Sequence, residues 1–99
     1  MIYHIMTTAA WEQQKLADSI TAPSLQTEGF IHCCYENQIQ GVLDRYHAGV
    51  KEIVQLTIDE SKIDVPVRSE VSKTGEKFPH VLGLIPFKAV TEIKKRIFA

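Results

Sequence analysis

The sequence predicts a small α+β domain, and three observations carry that prediction. Short β-branched runs recur along the chain, clear helical periodicity is confined to its first half, and no repeated βαβ order links them. At 99 residues with 44% hydrophobic content, one core can form, and a single domain over residues 1–99 is expected, with two short sheets and two main helices. A fold of this size buries about 65% of its unfolded surface, so it needs no staple.

Ile2-Tyr3-His4-Ile5-Met6 reads as a strand with Ile2, His4 and Met6 on one face. Thr7 or Thr8 can cap a helix over residues 9–17 that carries Trp11 and Leu16. Residues 18–29 are expected to be turn-rich, with Pro23 stopping regular structure and Gly29 at positive φ. Residues 30–34 read as a strand buried on both sides, because neither face is polar. Ile39, Val42, Leu43 and Tyr46 fall at i, i+3, i+4 and i+7, which predicts a helix with Gly49 at its C-cap.

Glu52 to Ile58 reads as a third strand, followed by a turn or single helical turn over residues 59–64. From Val65 to Val71 the pattern alternates, with Arg68 and Glu70 on one face and Val67 and Ser69 on the other. Residues 72–77 form a polar loop around Gly75, and Phe78, His80 and Leu82 share a face of the next strand. The tail fits either a helix or an alternating strand. The reading taken is a short helical turn after Pro86 and then a strand.

Eleven Lys+Arg against twelve Asp+Glu give a net charge of −1, which offers no global attraction to nucleic acid or an anionic membrane. No apolar run approaches the ~18–20 residues of a membrane span, and the N-terminus lacks a signal-peptide pattern. A cytoplasmic protein is expected. The two cysteines, Cys33 and Cys34, are adjacent and would form only a strained bridge, which fits a reducing compartment.

His4, His32, Glu70 and His80 each sit in an otherwise apolar or β-branched run. A buried polar group costs about 1–3 kcal/mol unless hydrogen-bonded, so these four either converge on one polar site or each have a local partner. His32 and Cys34 at i, i+2 could share a metal with His4 or His80, but no CxxC or HxxxH accompanies them, and no metal is expected. Cys33 and Cys34 read as inert packing. Arg68 and Glu70 read as a solvated ion pair, or as an anion reader beside a carboxylate that stabilises a developing cation. Trp11, Tyr3 and Tyr46 are core residues or a stacking platform. Lys94, Lys95 and Arg96 read as a solvated strand edge.

Ile2-Tyr3-His4-Ile5 with Trp11, Ser24-Leu25, Glu28-Gly29-Phe30-Ile31-His32-Cys33, Gln38, Asp59, Glu70 and Phe78-Pro79-His80-Val81-Leu82-Gly83 together resemble the bacterial family of unknown function DUF952. The resemblance runs in order along nearly the whole chain. Cys34 stands where a serine is expected, and Leu82 where a tyrosine is usual.

The resemblance implies a fold similar to the ADP-ribosyltransferase core, with NAD held in a cleft between two short sheets. His4 would then hydrogen-bond the NAD ribose, and Glu70 would stabilise the oxocarbenium ion formed as nicotinamide leaves. His32 and His80 would bind pyrophosphate or position the acceptor, with Ser24 and Arg68 completing the ligand-binding set. Two alternatives stay open. One is a non-catalytic module for a nucleotide or other small anion; the other is a structural or interaction protein, such as a homodimer through a sheet edge, with core histidines.

Overall fold

Four of the seven residues from Glu52 to Ile58 are large and aliphatic on both faces, a pattern suited to the middle of a sheet. In the computed structural model, which describes residues 1–98, this segment is the central strand β4 of a three-stranded antiparallel sheet. Ile53, Val54, Leu56 and Ile58 are buried along it. β1 (Ile2–Thr7) lies on one side with Ile2 opposite Ile58, His4 opposite Leu56 and Met6 opposite Val54. β8 (Val90–Ile97) lies on the other side with Leu56 opposite Ile93.

A second three-stranded sheet has the order β3 (Ile31–His32), β6 (Lys77–Val81), β5 (Val67–Val71), all antiparallel. His80 on the middle strand faces His32 on one side and Arg68 on the other. Among the described residues the expected two sheets are in fact three, because β2 (Ser19–Ile20) pairs with β7 (Ile85–Pro86) as a separate ribbon. Two-residue pairings carry no period for a sequence to reveal. The ribbon matters to the core, since Ile20 and Ile85 are both fully buried.

Among the described residues three α-helices are present where two main ones were expected. α1 (Thr8–Gln14) starts as the sequence indicates, with Thr7 Oγ1 accepting from Ala10 N–H at 3.1 Å. It ends three residues before Ala17, where Gln14 Oε1 turns back to accept from Thr21 N–H at 2.7 Å, leaving Leu16 91% exposed. α2 (Pro23–Thr27) is the extra helix. Pro23 opens this helix rather than breaking it, since a first-turn position needs no N–H and favours the fixed proline φ.

α3 (Ile39–Tyr46) follows a 3₁₀ turn over Glu36–Gln38. Gln38 anchors it, accepting from Tyr35 N–H at 2.9 Å and donating to the Lys77 carbonyl at 2.8 Å. Leu43 carries the buried end of the predicted stripe, whereas Tyr46 is 75% exposed. His47 is the C-cap, and Gly49, two residues on, takes a φ of +80° in the turn that leads to β4. The tail follows the reading taken, with a 3₁₀ turn over Phe87–Ala89 and then β8.

The core is one cluster that joins all three sheets: Ile2, Met6, Ile20, Ile31, Cys33, Val54, Leu56, Ile58, Val81, Ile85 and Ala89. Each large aliphatic member contributes roughly 1.5–3 kcal/mol through burial. Among the described residues no helix is long and apolar enough to cross a membrane.

Candidate functional site

β1 touches two neighbours. All of its residues register against β4, while Tyr3 also exchanges both backbone hydrogen bonds with Cys34 on the other edge, each at 2.8 Å. A continued antiparallel ladder would next join Ile5 to His32. It stops instead after this single bridge, because the His32 carbonyl accepts from His4 Nδ1–H at 2.8 Å. Backbone groups of residues two apart on a strand face the same edge, so Ile5 turns its N–H and C=O towards the gap. On that edge no backbone pairing between β1 and β3 follows the Tyr3–Cys34 bridge among the described residues.

Beyond the bridge lies a cleft of about 910 Å³. Its walls come from β1 (Tyr3, His4, Ile5), the α2 region (Ser24, Glu28), residues 30–34, the end of α3 (Arg45, Tyr46, His47), the β5–β6 hairpin (Ser72, Lys73, Thr74) and β6 (Phe78, His80).

His4 is buried, at 7% exposure. A carbonyl only accepts, so Nδ1 carries the proton of the neutral ring and Nε2 keeps a lone pair. Burial is the main force pulling its pKa below the ordinary histidine value; the bond to His32 opposes this, and nearby His32 and His47 reinforce it. Nε2 has no side-chain or backbone partner, and the one fully enclosed unpartnered side-chain atom among the described residues is Thr8 Oγ1. His4 Nε2 therefore opens onto the cleft.

His32 is exposed, which corrects the expectation of a strand buried on both faces. Only Ile31–His32 is strand. Ile31 and Cys33 enter the core, while Phe30 and His32 face the cleft and shelter one another. His32 Nε2 lies 2.8 Å from Glu28 Oε2, and its ring meets Phe30 edge-on at 4.7 Å. His80 stacks on the other side of this group, 3.8 Å from Phe30 at an interplanar angle of 9°, and 5.3 Å from His32. Burial and then the neighbouring His32 lower its pKa, while Glu70 and Glu28 pull it the other way. Ser24 Oγ–H donates to the Phe30 carbonyl at 2.7 Å, tying α2 to this wall.

Of the residues singled out from the sequence, His4, Ser24, His32 and His80 line one cleft, and Arg68 and Glu70 do not. Both are exposed on β5, the strand of its sheet farthest from β1. Arg68 stands opposite His80 and Glu70 opposite Phe78, so both share the sheet face with the histidines but remain outside the cleft wall. His4 and Glu70 therefore do not line the same cleft, although Glu70 lies near enough to His80 to act on its charge. The carboxylate that lines the cleft is Glu28.

Glu28, Phe30, Arg45 and His47 line the cleft without being among the site residues expected from the sequence. The i, i+4 spacing of Glu28 and His32 was the available signal. Arg45 lies 5.9 Å from the Phe78 ring centre and 3.4 Å from Glu76. Cys33 and Cys34 are buried free thiols; burial pushes Cys34 up to about 11 and Cys33 further. No group of three or more His, Cys, Asp or Glu side chains among the described residues is arranged to hold a metal.

A family model described as "Protein of unknown function (DUF952)" matches residues 5–93, and the chain belongs to that family. The fold is similar to the crystal structure of protein CC0527 from Caulobacter crescentus, with a TM-score of 0.84 and 24% identity over 95% of this chain and 83% of that one. The solution NMR structure of CC0527 gives a TM-score of 0.80 at 24% identity, over 99% and 85% of the two chains. No curated protein matches.

Proposed function

We propose that this DUF952 domain binds a nucleotide-like ligand, a flat heteroaromatic ring with a donor–acceptor edge and an attached phosphate, in the cleft between β1 and β3. The observation that carries this reading is the interrupted ladder. It leaves Ile5 N–H and C=O side by side, a pair that complements a carboxamide or a base edge. The adjacent residue, His4, adds a buried acceptor at Nε2 that suits a ribose hydroxyl.

The aromatic wall of Phe30, His80 and Phe78 offers surface for a flat ring, and Arg45 and Lys73 supply positive charge for phosphate at the hairpin end. NAD carries every one of these groups, in keeping with the ADP-ribosyltransferase-like core that the family resemblance implies. Glu70 plays no binding role in this reading.

The test is a thermal-shift series with NAD, ADP-ribose, AMP and inorganic phosphate. A ligand at 100 times its Kd adds about 2.7 kcal/mol, a rise of several degrees for a domain of this size. A shift with NAD or ADP-ribose that is lost in His4→Ala supports the reading. A flat response to every nucleotide overturns it.

A further inference from the structure

We infer that Glu28 and His32 form an acid–base dyad that activates water against an N-glycosidic bond of the ligand, an inference that rests on the nucleotide reading above. Glu28 Oε2 accepts from His32 at 2.8 Å, so in the neutral ring Nε2 carries the proton and Nδ1 is the base. Both residues line the cleft. The carboxylate holds the ring in one tautomer and stabilises the imidazolium that forms when Nδ1 takes a proton. Both side chains are about half exposed, so the pair adds little to stability, and its consequence is orientation.

The neighbouring His4 restricts the chemistry further. It too presents a lone pair, and burial disfavours its charged form. With the His4 Nδ1–H and the His32 Nε2–H each committed to an oxygen acceptor, the remaining nitrogen of each ring offers a lone pair, a base rather than an acid. Such a site suits a leaving group that departs unprotonated, and a cationic heteroaromatic nitrogen is one. In the step, the water oxygen bonds to the anomeric carbon and its proton passes to His32 Nδ1. The C–N bond breaks, its electron pair returns to the ring nitrogen, and the base leaves neutral. The proton on His32 is then lost to solvent. NAD hydrolysed to ADP-ribose and nicotinamide has this balance.

The experiment has two arms on the intact chain. Long-range ¹H–¹⁵N correlation at pH 8 reads the His32 tautomer without any ligand; the expected proton is on Nε2, and a proton on Nδ1 overturns the dyad. Nicotinamide release from NAD is then followed in wild type, His32→Ala and Glu28→Gln. A general base contributes about 10²–10⁴-fold, so His32→Ala is expected to lose that much in rate. Glu28→Gln is expected to lower kcat at least tenfold with NAD affinity unchanged, and to move the rising limb of its pH profile. NAD that binds but is not cleaved overturns the dyad and leaves the binding reading standing, whereas NAD that fails to bind removes both. Cleavage lost in Glu70→Gln but kept in Glu28→Gln also overturns it.

Discussion

Phe30 and His80 lie ring on ring, with centroids 3.8 Å apart and planes 9° from parallel. An imidazole held against a phenyl ring and partly shielded from water is favoured in its neutral form, and His80 sits below the ordinary histidine pKa. His4 and His47 are lowered as well, both chiefly by burial.

These three shifts set a pH dependence. Folded values below the ordinary 6.5 mean that the unfolded chain binds more protons in the window between the two. Stability is therefore full above about pH 6.5 and falls as pH drops through the folded values. Urea midpoints measured from pH 8 to pH 5 should decline in the acid half, with a weaker decline in His4→Gln. Equal midpoints across the range would contradict the prediction.

Ser24→Ala removes the hydroxyl that holds the Phe30 carbonyl. The expected loss is about 1 kcal/mol in urea unfolding. The Phe30 and His80 ring resonances should also shift, because the wall they form loses its tie to α2. An unchanged spectrum would show that α2 does not position the wall.

Gly83 has no room for a side chain. An added Cβ would lie 2.7 Å from Val65 Cγ1 and 3.2 Å from its Cβ and Cγ2. Gly83→Ala should cost about 1–3 kcal/mol through overpacking. In the Val65→Ala background the same change should cost much less. Additive costs in a double-mutant cycle would refute the clash.

Cys33 and Cys34 should resist a thiol reagent in the native state at pH 8, since burial raises both pKa values and limits access. Both should react promptly in denaturant. Fast labelling of the native protein would mean that residues 31–34 open readily.

Where one local rule acts alone, the sequence is a sufficient guide. Thr7 caps α1, β4 has its predicted bounds, Gly29 takes a φ of +86°, and the tail turns from a 3₁₀ turn into a strand. Where two rules compete, it is not. Pro23 can end regular structure or begin a helix, and only the chain that follows decides. Phe30 gives an apolar look to a strand face that lines a cleft, because an aromatic ring covered by its neighbours resembles core.

The candidate site was half visible for a related reason. His4, His32 and His80 stood out as polar residues in strands, but their meeting depends on a register between distant segments. Glu70 stands on the outer strand β5, outside the cleft wall, and strand order in a sheet is not written in any local pattern. Glu28 and His47 sit in a loop and at a helix end, where polar residues are ordinary.

The single bridge between Tyr3 and Cys34 gives His4 the role of a wedge. By occupying the His32 carbonyl, its imidazole stops two strands from zipping together, so one side chain keeps the cleft of about 910 Å³ from healing into continuous sheet. His4→Ala should allow Ile5 N–H to reach that carbonyl, and the Ile5 amide should pass from rapid to slow hydrogen exchange as the gap seals. Continued rapid exchange would show that the strands stay apart without it.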